Sequence, residues 1–178
     1  TIKGKISDIG RMKAEEQKKA VRAGYDMEIL PPDLITFSKD AAELLADHPD
    51  YQLLRSIPGI GPVNALAVLA EAGDLRRFRH HRQFLKFCGM DLATVQSGVF
   101  RGRSKISKYG NARLRRTLWL ASQAAVLKPA NSFRDKFERY IAQDRHNPDL
   151  RRKAYTAIAA KMARTIHAVI KSGEPYRP

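Results

Sequence analysis

One stretch of the chain combines small, hydroxyl-bearing and cationic residues in a pattern that suits phosphate binding. It covers residues 95–110, here called the basic loop, with three glycines (Gly98, Gly102, Gly110) and three serines (Ser97, Ser104, Ser107). Its four cations, Arg101, Arg103, Lys105 and Lys108, have no carboxylate among them. Glycine lets a backbone approach a ligand closely, and a loop that leads into a helix N-terminus offers N–H groups to an anion. The basic loop is therefore expected to contact phosphate.

The positive charge of the chain is concentrated around this loop. The 178 residues carry a net charge of +15 and a pI near 10.2. Their 43% hydrophobic content excludes a disordered tail. Between Arg76 and Arg116 there are 12 Lys and Arg residues against one acid, Asp91, so this window holds +11 of the total. Charge gathered in this way indicates a face that binds a polyanion such as nucleic acid.

Other classes of protein are disfavoured by what the sequence lacks. Cys88 is the single cysteine, so no internal disulfide is possible and a reducing, cytoplasmic location is expected. No apolar run is long enough to span a membrane, and no signal-peptide pattern is present. His80 and His81 are adjacent, and adjacent helical residues do not face one point, so they predict solvated or phosphate-facing side chains and no metal site. Because the chain begins with Thr1, we expect it to be part of something longer.

The hydrophobic periodicity predicts an all-α fold. Residues 1–32 are expected to form an N-terminal helix and a linker, broken at Pro31-Pro32 and involved in dimerisation, and residues 33–178 a single domain. Predicted helices cover about residues 33–46, 51–56, 62–72, 81–87, 132–143 and 148–171, with another that begins after Gly110. Strands are expected only within residues 90–107, where Val95, Val99 and Ile106 suit one short hairpin.

The helix that follows the basic loop has a clear apolar stripe. Leu114, Leu118, Ala121 and Ala125 recur at helical spacing, and Asn111 is a suitable N-cap. The stripe predicts which face of the helix enters the core. Arg113 and Arg116 lie off that face, so they are expected to point towards a ligand.

A second glycine-containing turn precedes the basic window, in the sequence Ile57-Pro58-Gly59-Ile60-Gly61-Pro62. It predicts two helices joined by a tight turn, with Pro62 in the first turn of the second helix. Such a turn resembles a helix-hairpin-helix, in which backbone N–H groups at the glycines hold a DNA phosphate without reading bases. The other interpretation is a helix–helix turn in which Gly59 and Gly61 satisfy only steric needs. Both interpretations remain open from the sequence.

Five short motifs together resemble one known domain. They are Ile57-Pro58-Gly59-Ile60-Gly61, Phe87-Cys88-Gly89-Met90, Gln96-Ser97-Gly98, Ile106-Ser107-Lys108-Tyr109-Gly110-Asn111 and Leu114-Arg115-Arg116-Thr117-Leu118. Their order and spacing resemble the C-terminal domain of insertion-sequence transposases that pair a DEDD, RuvC-like N-terminal domain with a serine-bearing C-terminal domain. These transposases are the bridge-RNA-guided recombinases. The resemblance covers residues 50–130 most strongly.

The resemblance implies chemistry at one serine. In that family the C-terminal domain supplies a serine nucleophile that becomes linked to DNA, and the matching position here is Ser97. Charge that develops on the phosphate oxygens would be stabilised by nearby cations. The candidates are Arg101, Arg103, Lys105 and Lys108, with Arg113 as a weaker one, while Arg116 is expected to bind DNA. Ser104 and Ser107 are rival nucleophiles in the same loop, and their family positions suggest phosphate-binding or structural roles.

The resemblance also implies a metal cofactor and several partners. The family's N-terminal domain holds divalent metal on four acids, so Mg²⁺ is expected there and no cofactor is expected in this chain. The expected partners are DNA, a guide RNA and further copies of the same chain. On this basis the chain is expected to bind nucleic acid but not to recombine it alone. Two alternatives remain: a non-catalytic helix-hairpin-helix module that docks on nucleic acid, and a helical assembly domain with an incidental basic face.

Overall fold

The computed structural model describes residues 43, 45–93, 96–97, 100–101 and 105–177, and a compact unit spans His48–Pro178. Within these residues lie six α-helices: α1 (Pro49–Arg55), α2 (Pro62–Ala72), α3 (His81–Phe87), α4 (Ala112–Leu127), α5 (Ser132–Ile141) and α6 (Pro148–Ser172). A 3₁₀ turn at Leu75–Arg77 joins α2 to α3. The expected all-α class is confirmed. The predicted boundary after residue 32 and the elements predicted before residue 43 lie outside the described residues.

The helix ends follow from local chemistry. Asn111, Asn131 and Asn147 each cap a helix, because their side-chain oxygens accept hydrogen bonds from N–H groups of the first turn. Pro62 and Pro148 occupy the first turns of α2 and α6, where a missing N–H costs nothing. Gly173 ends α6 in the left-handed conformation, with φ of +70°.

The core is built around α6, which packs against α3, α4 and α5. Ile158, Met162 and Ile166 on α6 are fully buried. The predicted stripe of α4 faces this core, with Leu114, Leu118, Ala121 and Ala125 all buried. The apolar periodicity therefore identified the inner face of α4 correctly.

The basic loop is carried by two very short antiparallel ladders. β1 (Leu92–Ala93) pairs with β4 (Lys105–Ile106), and β2 (Gln96–Ser97) pairs with β3 (Phe100–Arg101). Each strand has two residues, so these ladders add little sheet to a helical domain. They lie in the region for which a short hairpin was expected.

An ion pair joins α1 to the 3₁₀ turn at Leu75–Arg77. The Asp50 carboxylate in α1, only 10% exposed, receives two hydrogen bonds of 2.7 Å from the Arg76 guanidinium. These bonds hold the pKa of Asp50 below its usual range, although burial opposes them. Since its folded-state pKa is lowered, the pair stabilises the fold above the unfolded-state pKa of about 3.9. That contribution is lost as pH falls through the lower folded-state pKa.

We therefore expect Asp50→Asn to reduce the free energy of unfolding by about 1–2 kcal/mol near neutral pH, because Arg76 is half exposed and the pair is partly screened. The difference from the unsubstituted chain should shrink as the pH is lowered below about 4. Urea unfolding over a range of pH measures both effects. Glu174→Gln, which removes a carboxylate from an exposed pair with Arg177, is the matched control and should change stability little. A pH-independent loss in Asp50→Asn would contradict this account.

Candidate nucleic-acid interface

The turn between α1 and α2 contains two glycines with different surroundings. Gly59 is buried with φ of +87°, and an added Cβ would overlap the carbonyl oxygen of Ala121 and lie 2.6 Å from the nitrogen of Ala125. Those atoms belong to the backbone of α4. Gly59 is therefore required by close packing of the turn on α4 and by its left-handed conformation.

Gly61 has neither requirement. It has φ of −82° and ψ of 178°, a conformation open to any residue, and an added Cβ would meet nothing within 4 Å. It is the N-cap of α2, a helix with no side-chain cap hydrogen bond. The steric interpretation of the turn thus explains Gly59 but not Gly61. At Gly61 the small residue leaves the positive end of an 11-residue helix open to approach.

The base of the basic loop is a tightly packed stem formed by residues 87–91 and 107–111. Backbone N–H groups of Ser107, Lys108 and Asn111 donate to the carbonyls of Asp91, Gly89 and Phe87 at 2.8, 3.1 and 2.7 Å. Gly89 and Gly110 have φ of +66° and +144°. An added Cβ on Gly110 would lie 2.6 Å from the nitrogen of Gly89, so the two segments approach more closely than side chains allow.

Two side chains attach this stem to the helices. The Arg115 guanidinium on α4 donates from one nitrogen to the carbonyls of Cys88 (3.2 Å) and Lys108 (3.1 Å), which lie on opposite sides of the stem. The Asn111 amide donates to the Glu71 carboxylate on α2 at 2.7 Å. The basic loop therefore starts from a fixed base. Sequence reasoning missed both roles, although the position of Arg115 off the apolar stripe of α4 was a signal for a polar contact.

Three of the predicted site residues of the loop lie in the two short ladders. Ser97 is paired with Phe100, Arg101 with Gln96, and Lys105 with Ala93. Ser97 is thus the last residue of β2, next to the two-residue connection to β3. Arg103 and Ser104 lie outside the described residues. Ser107 and Lys108 lie in the stem, where Lys108 is exposed with φ of +58°.

Two further predicted contacts lie on α4. Arg113 and Arg116 are both exposed near its N-terminus, as expected from their positions off the apolar stripe. Arg113 lies 3.6 Å from the Glu71 carboxylate, with its side chain 52% exposed. Glu71 therefore contacts both Arg113 and Asn111, and it links α2 to the first turn of α4. The predicted DNA-binding roles of all these residues remain predictions.

The thiol of Cys88 lies at the stem and is buried. Burial raises its pKa to about 12, while the charge of Arg115 opposes the rise. Since the thiolate is the reactive form, we expect alkylation of the folded chain to be roughly a thousandfold slower than that of the urea-unfolded chain. Mass spectrometry of iodoacetamide-treated samples over time measures the ratio. Comparable rates in the two states would contradict the buried position.

The structure also bears on metals and membranes. In the parts of the chain that it describes, no three His, Cys, Asp or Glu side chains come together as metal ligands. His80, which the sequence suggested was solvated or phosphate-facing, caps α3 by accepting the Arg82 N–H at 3.2 Å. Of the helices seen, none has both the length and the apolar composition that crossing a bilayer requires.

The chain is similar in sequence to known proteins of insertion elements. Residues 51–138 match the model of the Transposase IS116/IS110/IS902 family. A transposase for insertion sequence element IS1111A from Coxiella burnetii is 34% identical over 128 residues, which cover 72% of this chain and 35% of the relative. A probable family 20 transposase from Pseudomonas aeruginosa is 34% identical over 129 residues, covering 71% of this chain and 37% of the relative. An insertion element IS116 uncharacterized 44.8 kDa protein from Streptomyces clavuligerus is 24% identical over 127 residues.

The chain spans little more than a third of the length of the first two relatives. The matched span runs from α1 into α5 and includes the glycine turn, the stem and the whole basic loop. Over this span the chain is therefore similar to insertion-sequence transposases.

Proposed function

We propose, on the premise of this similarity to insertion-sequence transposases, that the chain is a DNA-binding and catalytic domain that cuts and rejoins DNA through Ser97. One observation carries the proposal: the span that matches the family model contains both the basic loop with Ser97 and the helices that hold its stem. A fixed base supports a nucleophile role, because attack on phosphorus requires a well-positioned oxygen.

The chemistry follows from the residues of the loop. The Ser97 hydroxyl loses its proton and its oxygen bonds to phosphorus, while the bond from phosphorus to a deoxyribose oxygen breaks and that oxygen leaves as a hydroxyl. The resulting phosphoserine diester conserves the bond energy, so the reverse attack rejoins a strand without ATP. Arg101 and Lys105 lie in the two ladders that carry the loop and Lys108 lies in the stem, and all three would stabilise charge on the phosphate oxygens.

A metal is proposed only for another domain. The steps described above are assigned to residues of this chain alone. Mg²⁺ would be held by an acidic N-terminal domain of the kind that the family resemblance implies. A guide RNA, a homo-oligomeric assembly and action in the cytoplasm belong to the same proposal. The chain by itself would bind DNA without recombining it.

The DNA-binding part of the proposal is tested by salt dependence. Neutralising about five phosphates should give a log–log slope of affinity against salt of roughly −4 to −5. Fluorescence anisotropy with a short labelled DNA duplex, titrated at several KCl concentrations, measures this slope. A flat response would exclude a DNA-binding face and favour the helical assembly domain.

A non-catalytic docking module is the second candidate, and the open helix end at Gly61 favours it. Both candidates predict salt-dependent binding, so binding alone does not separate them. Only the catalytic proposal predicts a covalent protein–DNA adduct when the chain acts with its metal-binding domain. Absence of any adduct under conditions of strand transfer would leave the docking module.

A further inference from the structure

A second group of cations lies on the C-terminal helices, outside the window from Arg76 to Arg116. Lys136 and Arg139 are three residues apart on α5, and Lys161 and Arg164 are three residues apart on α6. Residues at this spacing share one face of a helix, and α5 packs directly against α6. These four residues are called the helical cation cluster.

Two cations of this cluster, Lys161 and Arg139, make contacts within the protein. The Lys161 ammonium donates to the carbonyl of Ser132 at 2.7 Å and lies 5.1 Å from the centre of the Phe133 ring. Lys136 and Lys161 are both half-buried. The Arg139 Nε donates to the carbonyl of Asp135, one turn earlier on α5. The two lysine charges are thus partly removed from water, whereas Arg139 and Arg164 are exposed.

The charges of the cluster have little compensation within the domain. Across residues 45–93 and 105–177, no carboxylate lies within ion-pair distance of these four cations. Burial, followed by repulsion from Arg164 and Arg139, lowers the pKa of Lys136. Burial and repulsion from Lys136 and Arg139 also lower the pKa of Lys161, although Asp135 opposes this.

The cluster also extends towards α3. Burial lowers the pKa of His81, and the charges of His80, Arg164, His167 and Arg82 lower it further. The charges that act on His81, Lys136 and Lys161 are thus mostly positive, and Asp135 opposes them at Lys161. Like charges held together in this way destabilise the free protein, and an anion bound between them would relieve the repulsion.

We propose that the helical cation cluster binds phosphates of the DNA backbone, as a contact surface separate from the basic loop. DNA is the ligand because the chemistry required is a repeated phosphate, read by charge and without base contacts. The inference rests on the proposed function for the identity of the ligand. It adds a site on α5 and α6 that would hold the duplex while the basic loop engages the reacting strand.

The test uses the double variant Lys136→Gln/Arg164→Gln in the whole chain. For a short DNA duplex we expect a Kd roughly tenfold higher at moderate salt and a salt slope shallower by about 2, one for each lost phosphate contact. Thermal unfolding should occur at an unchanged or higher temperature, because the substitutions relieve repulsion. This combination, weaker binding by a protein that is at least as stable, distinguishes a ligand site from a structural one. Arg164→Gln alone, at an exposed residue, should give about half the change in slope.

The matched control is Arg152→Gln/Lys153→Gln, which removes the same charge from exposed positions near the start of α6. It should shift the slope much less than the cluster variant. Equal shifts in the two variants, or a cluster variant with the slope of the unsubstituted chain, would overturn the site and leave DNA binding by the basic loop in place. Absence of salt-dependent binding by the unsubstituted chain would overturn the proposed function as well.

Discussion

Replacing Ser97 with alanine should lower strand joining by roughly 10³- to 10⁶-fold, the range found when an enzyme loses its nucleophile. The measurement uses this chain together with the metal-binding domain proposed to complete the site, and follows covalent protein–DNA adducts on denaturing gels. Affinity for DNA should stay within about twofold, because a neutral hydroxyl contributes little to a phosphate contact dominated by charge. The loss of strand joining would therefore reflect the chemical step and not weaker DNA binding.

The control is Ser107→Ala, in the same cationic loop. The contact that holds Ser107 in the stem comes from its backbone N–H, which donates to the Asp91 carbonyl, so alanine at this position keeps that bond. Adduct formation should therefore persist in Ser107→Ala. An adduct that survives Ser97→Ala but disappears in Ser107→Ala or Ser104→Ala would assign the nucleophile to a rival serine.

The second large effect is expected at the glycine turn. Gly59→Ala should lower the free energy of unfolding by at least about 3 kcal/mol, from a strained left-handed residue and from overlap with α4. The added Cβ would overlap the carbonyl oxygen of Ala121 and the nitrogen of Ala125. Both are backbone atoms of a packed helix, so they cannot move away as the end of a flexible side chain could. Urea unfolding followed by circular dichroism measures the loss.

Gly61→Ala is the matched variant, two residues along the same turn. It meets no atom within 4 Å and needs no special φ, so it should cost no more than about 1 kcal/mol, the penalty of alanine at an N-cap. If α2 receives a phosphate, the added methyl group should still weaken DNA binding. Equal stability losses at the two positions would contradict the packing described for Gly59.

Helix positions could be predicted from the sequence because their signals are local. Asn111 and Asn147 cap the helices that follow them, and Gly173 ends the last helix, each through contacts within one turn. The buried face of α4 could also be predicted, since the periodicity of its apolar residues determines which face enters the core.

The site itself depends on contacts between distant residues, and these leave no local pattern. Gly59 is required by α4, more than sixty residues further along the chain, which sequence reasoning could not separate from the needs of a turn. Arg115 appears in the sequence as one more cation of a basic window, yet its guanidinium is engaged by the carbonyls of the stem. The helical cation cluster was missed for a similar reason, because α5 and α6 bring its two halves together only in the fold.

The central claim is that one serine of the basic loop becomes bonded to DNA, and it is tested most directly by locating that bond. The covalent adduct formed by the unsubstituted protein would be trapped, digested with protease and nuclease, and sequenced by tandem mass spectrometry. The account predicts a phosphonucleotide on Ser97. A modification on Ser104, Ser107 or a residue outside the loop would contradict it.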